Sequence, residues 1–258
     1  MSYYNLCNDV AQAIEKAVSH LIGKPEAGVT LRIGADGTPT EVIDEVAENA
    51  ALSVLEDDGR SMRIVSEELG EKIIGNKPEF TLVLDPIDGT FNAVNNIPFY
   101  CAPIAIAGSD LSDIRYGFVK NLVTGDIYTA EKGKGSFLNR RKIHVSTLSE
   151  LSRVSVLSYS HRPHAIAINN HNVRRVRVFG SAALELCYIA SGIFDAFIDM
   201  RGMLRVSDIA AGKLIVEEAG GRVSDGKGEP LFTLLDVKKR VNIVASNGYV
   251  HDKLLELV

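Results

Sequence analysis

Cysteine, long apolar runs and excess positive charge are all scarce in this chain. Its 258 residues contain only three cysteines, Cys7, Cys101 and Cys187, without CxxC spacing. They predict buried free thiols in a reducing compartment and argue against a disulfide framework or a zinc site. No apolar run reaches the length of a bilayer span. Residues 1–5 lack the basic and apolar regions of a signal peptide, so we expect a soluble, cytoplasmic protein without a membrane partner.

The charge balance argues against a nucleic-acid partner. The chain has 33 acidic and 28 basic residues, a net charge of −5, and no basic run interleaved with aromatic residues. Its 46% hydrophobic and 24% charged residues are typical of a globular protein. The length accommodates one large domain or two small domains that share an interface.

Apolar spacing predicts two helices near the start of the chain. Residues 6–21 have apolar side chains at helical intervals. A polar, turn-rich loop at residues 34–39 then precedes a second helix, which Thr40 is predicted to cap and which continues to about residue 55. The side chains predicted to face inward from this second helix are Val42, Val46 and Ala50.

Strands and helices follow one another through the rest of the chain. Short strands joined by turns are predicted up to residue 138, and strands alternate with helices beyond residue 150. We therefore predict an α/β (mixed α+β) fold with an N-terminal half near 1–150 and a C-terminal half near 151–258. The predicted strands are 64–65, 80–84, 102–107, 114–120, 126–130, 135–138, 154–157, 176–179, 194–198 and 241–245, and the later helices are 182–190, 207–219 and a short one from residue 251.

The sequence DPIDGT at residues 85–90 is the most informative segment. It follows residues 80–84, an apolar run that predicts a buried strand. Asp85 and Asp88 therefore lie where that strand ends, which is a common position for a functional site in layered α/β proteins. Two carboxylates at this spacing suit hard divalent cations, and the adjoining Gly89 and Thr90 suit a phosphate. An ordinary polar turn is the alternative interpretation.

Two further acidic clusters complement this motif. Glu67 and Glu68 follow a short strand, and Asp208 precedes an apolar helix. Taken alone, Glu67 is better interpreted as an exposed loop acid, and Asp208 as a cap or first-turn acid of its helix. Taken together, these carboxylates could hold a pair of Mg²⁺ ions, one activating a water and one stabilising the leaving oxygen. A helix that starts at Thr90 would direct its first N–H groups toward an anion.

The three acidic segments resemble the signatures of the inositol monophosphatase family, in order and in separation. They are EELG at residues 67–70, DPIDGTFN at 85–92 and DIAAG at 208–212. GKGSFLN at 133–139 and VFGSAALELC at 178–187 extend the similarity over essentially the whole chain, closest to the archaeal enzymes with both fructose-1,6-bisphosphatase and inositol-1-monophosphatase activity. The resemblance implies a five-layer αβαβα sandwich, a homodimer and Mg²⁺-dependent hydrolysis of sugar phosphates by direct attack of water.

The resemblance also implies a role for individual residues. Glu67 and Thr90 are expected to position the attacking water, and Asp44 to orient Thr90. The loop at residues 36–39 matches a mobile catalytic loop that helps to hold a third, weaker metal ion, although Thr38 stands where relatives often carry an aspartate. Two or three Mg²⁺ ions per subunit are therefore expected. The implied metal ligands are Glu67, Asp85, Asp88, Asp208 and the backbone carbonyl of Ile87.

Substrate choice is indicated by arginines. Many family members have a tryptophan before the last aspartate, whereas this chain has Ser207 there and no tryptophan at all. Arginines nearby suit a second phosphate better than a sugar hydroxyl, with an exposed charge at a strand edge as the alternative interpretation of Arg177. The expected substrate contacts are Gly89, Thr90, Phe91, Arg177, Ala182 and Arg201.

Two other patterns are interpreted as structural. The segment Gly133-Lys134-Gly135 lacks the spacing of a phosphate-binding loop and predicts a hairpin turn. His161, His164 and His171 lack thiol or carboxylate partners at a suitable spacing, so they predict a polar surface rather than a zinc site.

Three alternatives to the leading hypothesis remain open from the sequence. Haloacid-dehalogenase-type phosphatases use an aspartate nucleophile in DxDGT, which is one residue shorter than the DxxDGT found here. A second rival is hydrolysis of 3′-phosphoadenosine 5′-phosphate, also within the broader family. The third is a metal-binding homologue without turnover.

Overall fold

The computed structural model of the protein describes residues 2–159 and 173–258. The histidines His161, His164 and His171 lie outside the described residues. The helices are α1 (Tyr3–Val18), α2 (Val42–Asp57), α3 (Thr90–Val94), α4 (Ala182–Ala190), α5 (Val206–Glu218) and α6 (His251–Leu255). The strands are β1 (Thr30–Ile33), β2 (Pro39–Glu41), β3 (Met62–Ser66), β4 (Gly70–Ile74), β5 (Phe80–Leu84), β6 (Cys101–Ala107), β7 (Ile114–Asn121), β8 (Ile127–Glu131), β9 (Gly135–Leu138), β10 (Arg141–Ile143), β11 (Ser155–Tyr159), β12 (Arg175–Arg177), β13 (Ala196–Arg205), β14 (Arg222–Ser224) and β15 (Arg240–Ser246).

Two large sheets separate three layers of helix. The first sheet has eight strands in the order β10-β9-β8-β7-β6-β5-β3-β4, and the second has five in the order β12-β11-β13-β15-β14. One hydrophobic cluster joins α1 and α2 to the first sheet, a second joins both sheets to α4 and α5, and a third joins the second sheet to α6. These three clusters fill the spaces of an αβαβα arrangement, and the predicted mixed α/β fold is confirmed.

The predicted halves correspond to different sheets. The first sheet uses strands up to Ile143, and the second begins at Ser155. The middle hydrophobic cluster nevertheless combines side chains from both halves, such as Val119 and Ile215. The division at about residue 150 stays a prediction.

The start and the inward face of α2 differ from the sequence prediction. Its N-cap is Glu41 and not Thr40, because Glu41 and Asp44 form a reciprocal capping box. The buried face is shifted by one residue from the predicted face of Val42, Val46 and Ala50. The residues of α2 that are buried are Ile43, Asp44, Ala47, Glu48, Ala51 and Leu55. The shift points two acids of α2 into the protein.

The strand β5 has the bounds predicted for it and is buried throughout. It pairs in parallel with β3 and antiparallel with β6, so it lies inside the first sheet. Its apolar sequence fits a strand covered on both faces. The carboxyl ends of β3 and β5 therefore reach the same sheet edge, where the acidic segments follow.

In the second sheet, all four predicted strands differ from their predicted bounds, and two of them, β12 and β13, bear on the arginine-rich segments. The strand predicted at 194–198 is β13, which continues to Arg205 and so includes the arginine-rich segment. The strand predicted at 176–179 is β12, which ends at Arg177. Pairing with β15 over Ala196–Asp199 and again over Leu204–Arg205 accounts for the extra length of β13.

The structure also confirms the predicted environment of the cysteines and the predicted hairpin turn. The three cysteines are buried and free. The segment Gly133-Lys134-Gly135 joins the antiparallel strands β8 and β9 as a hairpin turn. Within the described part of the chain, every helix is too short or too polar to pass through a membrane.

Candidate active site

Three buried carboxylates from distant parts of the chain meet at one place. Glu67 follows β3, Asp85 follows β5, and Asp208 lies in the first turn of α5. One carboxylate oxygen of each residue lies within 4.8 Å of the oxygens of the other two. Because β3 and β5 are parallel, with Ser66 opposite Leu84, the residues that follow emerge side by side. Three of the expected metal ligands therefore converge.

Asp88 is held by the N-terminus of α4. Its Oδ2 accepts hydrogen bonds from the Ser181 hydroxyl at 2.7 Å and from the Ala183 N–H at 2.7 Å. Its Oδ1 accepts a longer bond, 3.3 Å, from the Ala182 N–H. Free N–H groups and the helix dipole both favour a carboxylate at this position. Asp88 thus fixes the DPIDGT segment against the C-terminal half of the chain.

Arg205 supplies positive charge within the acidic cluster. Its Nη1 lies 2.9 Å from Asp36 Oδ2 and also forms an ion pair with Glu67. Its Nε lies 3.0 Å from Asp208 Oδ1, and its backbone N–H donates to the other oxygen of Asp208 at 2.8 Å. Arg240 also pairs with Asp36, at 3.3 Å, and the two guanidiniums still offset only part of the charge of the surrounding carboxylates. Additional positive charge is therefore favoured at this site.

Burial and mutual repulsion raise the pKa values of Glu67, Asp85 and Asp88. Burial raises the pKa of Glu67 well above its usual range, and the charge of Asp85 adds to this. Burial also raises the pKa of Asp85, together with the charge of Asp88. For Asp88, burial and then the charge of Asp208 raise the pKa to about 7. A bound cation would reverse these shifts because it stabilises the ionised forms.

The donor set fits a hard divalent cation. Asp85 Oδ1 accepts a hydrogen bond from the Ile87 N–H at 2.9 Å. Its Oδ2 is buried and has no hydrogen-bond partner among the described residues. A buried acceptor left without a partner costs about 1–3 kcal/mol. Mg²⁺ prefers carboxylate oxygens, so Asp85, with this unpartnered oxygen and with Glu67 and Asp208 beside it, suits the cation that the sequence predicted.

Thr90 and Asp44 are brought together from different helices. Thr90 Oγ1 lies 2.9 Å from Asp44 Oδ1 and 3.0 Å from the Ile87 carbonyl oxygen, and its hydroxyl donates to one of them at a time. Asp44 Oδ2 accepts the Glu41 N–H at 3.1 Å. Burial, and then the charge of Glu68, raises the pKa of Asp44 to about 7. The contact is the one that the family resemblance implied.

Gly89 permits the backbone to pass close to two other segments. Its φ is +103°, in the left-handed region that glycine adopts without strain. A Cβ at this position would lie 3.0 Å from the Phe99 carbonyl oxygen and 3.3 Å from that of Gly180. The helix α3 begins directly afterwards, at Thr90. Any larger residue would crowd these carbonyl oxygens and strain the turn that precedes α3.

Most of the expected substrate contacts line one cavity of about 480 Å³ beside the acids. Among these contacts, Phe91 is 72% exposed. The volume is in the usual range for small-molecule sites. The lining residues are Thr38, Ile87, Asp88, Gly89, Thr90, Phe91, Tyr159, Gly180, Ala182, Arg201, Gly202, Met203, Leu204, Arg205, Asp208 and Arg240.

Arg177 lies apart from this lining. It is exposed at the end of β12, and its Nη1 donates to the Val176 carbonyl oxygen at 2.7 Å. Its predicted contact with substrate stays a prediction.

Arg240 and Tyr159 line the cavity but were not selected from the sequence. Arg240 is the register partner of Arg205, and its Nη2 donates to the Asp36 carbonyl oxygen at 3.0 Å. The guanidinium of Arg201 lies 4.5 Å from the centre of the Tyr159 ring. Neither residue belongs to a recognisable local motif. Strand pairing places them at the cavity, so only an analysis of register could have found them.

Comparisons with known proteins agree with this geometry. The sequence model of the inositol monophosphatase family matches residues 3–258. A fructose-1,6-bisphosphatase/inositol-1-monophosphatase of Methanothermobacter thermautotrophicus is 45% identical, over 96% of this chain and 93% of that protein. A bifunctional NADP phosphatase/NAD kinase of Methanococcus maripaludis is 41% identical over 99% of this chain, which spans 49% of that longer protein.

A solved structure extends the agreement to the fold. It is a crystal structure of an inositol monophosphatase–fructose 1,6-bisphosphatase, with 34% sequence identity and a TM-score of 0.91. The match covers 100% of both chains. The family interpretation of the sequence motifs is confirmed. This chain belongs to the inositol monophosphatase family.

Proposed function

We propose that this protein is an Mg²⁺-dependent phosphatase that hydrolyses sugar phosphate monoesters, among them fructose 1,6-bisphosphate and inositol 1-phosphate. The observation that carries the proposal is the convergence of three buried acids, one with an unpartnered oxygen, beside a cavity that arginines line. Carboxylates that lack sufficient counter-charge bind divalent cations, and arginines bind phosphate.

The metal-binding part of the proposal uses side chains from both halves of the chain. Two or three Mg²⁺ ions per subunit would be held by residues that are buried around the cavity. When bound, Mg²⁺ supplies an acidified water and stabilises the charge of the leaving oxygen. The proposed ligands are Glu67, Asp85, Asp88, Asp208 and the Ile87 carbonyl oxygen.

Thr90, Asp44 and Glu67 position the attacking water in this proposal. A Thr90 hydroxyl that donates to Asp44 leaves its oxygen lone pairs available to accept a hydrogen from water. Glu67 accepts the second hydrogen of that water. The water oxygen then attacks phosphorus as one of its protons passes to Glu67, the bond from phosphorus to the sugar oxygen breaks, and the sugar oxygen takes up a proton from solvent. Glu67 returns its proton to solvent, so no net proton is gained or lost by the protein. Holding the water in line contributes through orientation rather than through covalent chemistry.

Substrate recognition combines backbone and arginine donors. The Gly89, Thr90 and Phe91 backbone would bind the transferred phosphate, with Ala182 closing one side of the cavity. Arg201 would bind a second phosphate, and Arg177 is proposed as an additional contact. A bisphosphate uses both groups of donors, whereas a monophosphate uses the first.

A kinetic comparison tests the proposal. Fructose 1,6-bisphosphate and inositol 1-phosphate are supplied over a magnesium titration, and phosphate release is measured. We expect turnover of both substrates that requires Mg²⁺ and disappears with a chelator. Absence of Mg²⁺-dependent release from both substrates would overturn the proposal in favour of a catalytically silent protein. A phosphoryl group trapped on Asp85 would instead support an aspartate nucleophile.

A second candidate substrate is NADP, hydrolysed at its 2′-phosphate. Phe91 and Met203 line the cavity with 72% and 57% of their surface exposed. Exposed aromatic and thioether groups beside a phosphate site suit a nucleotide base. The bifunctional relative from Methanococcus maripaludis carries NADP phosphatase in its name. A Phe91→Ala variant should lose activity on NADP more than on inositol 1-phosphate, and equal losses would contradict this candidate. 3′-Phosphoadenosine 5′-phosphate belongs in the same assay.

We further propose that the protein is a cytoplasmic homodimer. The buried free thiols support a reducing compartment, and the dimer rests on family membership. Light scattering after size exclusion measures the mass directly. Twice the chain mass of 28.0 kDa is expected.

A further inference from the structure

Three interacting side chains, those of Tyr159, Asp199 and Arg201, lie on one face of the second sheet. The strands β11 and β13 run parallel, and Tyr159 is the register partner of Asp199. Arg201 follows Asp199 by two residues on the same strand, and the pairing of its guanidinium with the Asp199 carboxylate shows that both side chains lie on the same side. The face is that of the cavity, because Tyr159 and Arg201 line it.

The Asp199 carboxylate accepts hydrogen bonds along one edge of the Arg201 guanidinium. Its Oδ2 lies 2.6 Å from Nη2, and its Oδ1 lies 3.1 Å from Nε. Oδ1 also accepts the Arg201 backbone N–H at 2.9 Å. The Asp199 side chain has no exposed surface, whereas that of Arg201 is 21% exposed. This paired geometry determines the plane of the guanidinium as well as its position.

The Tyr159 ring packs against the flat face of the Arg201 guanidinium. The carbon at the centre of the guanidinium lies 4.5 Å from the ring centre, which is within the range of a cation–π contact. The Tyr159 hydroxyl accepts the Gly180 N–H at 2.8 Å. Tyr159 therefore joins Arg201 to the segment that precedes α4, whose N–H groups hold Asp88.

Asp199 reduces the charge of Arg201 while it fixes the guanidinium direction. The guanidinium has five N–H donors, and Asp199 occupies those along the Nε–Nη2 edge. The donors of Nη1 are not taken by Asp199. A neutralised ion pair attracts a distant anion weakly, so the benefit of this arrangement lies in orientation, not in long-range attraction.

We propose that Asp199 and Tyr159 are positioning residues that set Arg201 as a directional receptor for an anionic group of the substrate remote from the transferred phosphate. This inference rests on the proposed phosphatase function, and it makes Asp199 the determinant of preference for bisphosphates over monophosphates. In this proposal, neither residue contacts the reacting phosphorus. Both act by limiting the orientations of Arg201.

The Asp199→Asn variant gives the sharpest test. A role in orientation and a role through net charge predict changes of opposite sign in the KM for fructose 1,6-bisphosphate. The variant adds one net positive charge to the cavity, so simple attraction predicts a lower KM for fructose 1,6-bisphosphate. Loss of orientation predicts a KM that rises about tenfold, with a smaller rise for inositol 1-phosphate and a kcat that changes less than either KM. A KM within twofold of wild type, or a lower one, would overturn the inference.

A double-mutant cycle separates positioning from general damage to the pocket. If Asp199 acts through Arg201, adding Asp199→Asn to Arg201→Ala produces no further rise in KM. Losses that multiply would contradict the inference. Binding of fructose 1,6-bisphosphate without turnover, measured by calorimetry in the absence of Mg²⁺, should show the same pattern.

The chain contains a second Asp–Arg pair that serves as a matched control for the pair of Asp199 and Arg201. Asp58 and Arg60 have the same spacing, Asp58 is 3% and Arg60 20% exposed in the side chain, and Arg60 lies 5.4 Å from the Phe80 ring centre. This pair precedes β3, at the opposite end from Glu67. Asp58→Asn should therefore leave both KM values at wild-type levels, and a rise there equal to that of Asp199→Asn would assign the effect to a general loss of ion pairs.

A second variant keeps the test decisive if Asp199→Asn does not fold. Tyr159→Leu removes the ring beneath Arg201, and Tyr159→Phe removes only the hydroxyl. The leucine variant should raise the bisphosphate KM more than the phenylalanine variant does. Equal KM values in wild type and Tyr159→Leu would overturn the inference. Failure of the wild-type protein to hydrolyse any sugar phosphate would instead refute the proposed function.

Discussion

Asp85 and Asp195 are both buried aspartates at strand ends, yet their surroundings differ. Asp85 is 2% exposed, and one of its carboxylate oxygens has no partner within the described ranges. Asp195 is 4% exposed, and both oxygens accept hydrogen bonds, from the Ser146 hydroxyl and from the Ser155 N–H at 2.7 Å. Asp195 is satisfied by the protein alone, whereas Asp85 is not.

The difference separates a structural acid from a functional one. A buried carboxylate with complete hydrogen bonding contributes to stability, and its removal leaves its donors unpaired. A buried carboxylate beside Glu67 and Asp208 costs stability until a cation arrives. This loss of stability occurs beside the cavity, where the proposed reaction needs a metal ion.

The largest expected effect is that of Asp85→Asn. It removes a metal-binding charge, so phosphate release at saturating substrate should fall about a thousandfold. The metal-free protein should keep its melting temperature or gain slightly, because repulsion with Glu67 decreases. The stabilisation that Mg²⁺ gives the wild type should largely disappear. Substantial turnover in this variant would break the comparison, and Asp88→Asn should behave in the same way.

Asp44→Asn sharpens the comparison, because Asp44 is hydrogen-bonded on both oxygens and yet faces the site. The asparagine keeps the side-chain volume but can orient Thr90 less well. We expect kcat to fall about thirtyfold, in the range seen for residues that orient the residues in contact with a metal site. Urea unfolding should show a smaller loss of stability than for Asp195→Asn, because the asparagine also removes the repulsion between Asp44 and Glu68. A kcat equal to that of wild type would place Asp44 with the structural acids.

Asp195→Asn should show the converse pattern. One of its donors, either the Ser146 hydroxyl or the Ser155 N–H, loses a charged acceptor, which should cost about 2 kcal/mol in the free energy of unfolding. Urea unfolding measures this loss. The kcat and KM of the folded variant should remain close to wild type, since Asp195 lies outside the cavity lining. A large fall in kcat without loss of stability would remove the distinction from Asp85.

Glu185 provides the smallest and most specific test. Its Oε1 accepts the Phe179 N–H at 2.7 Å, and its Oε2 is unpartnered among the described residues. Burial, the largest cause, raises the pKa of Glu185 from 4.5 to about 8. The folded protein thus holds a proton that the unfolded chain releases, so stability should fall as pH rises from about 4.5 to about 8.

A Glu185→Gln variant should flatten that fall, since glutamine does not ionise. The measurement is the change in melting temperature between pH 5 and pH 8 for both proteins. Burial of Glu185 away from the acidic cluster favours its protonated form. The clustered acids around Asp85 instead favour a bound cation. An unchanged pH slope in the variant would show that another group controls it.

Local sequence was sufficient to predict the bounds of elements whose apolar pattern fits only one type of secondary structure. The buried strand Phe80–Leu84, the short strand Gly135–Leu138 and the helix Ala182–Ala190 have the bounds predicted for them. The helix α2 was harder, because two neighbouring apolar stripes exist. Its capping box and the contact of Asp44 with Thr90 select the stripe that contains Ile43. Neither contact can be recognised from periodicity.

The sequence by itself determined the family, the layered fold and the acids expected to bind metal, because these depend on short motifs and on apolar spacing. Only the tertiary structure decided that Glu67, Asp85 and Asp208 meet, that Asp88 is bound by α4, and that Asp199 and Tyr159 hold Arg201. Strand register and helix contacts join residues far apart in the chain. The physical reason is that such contacts are chosen by the packing of whole layers, which no local segment specifies.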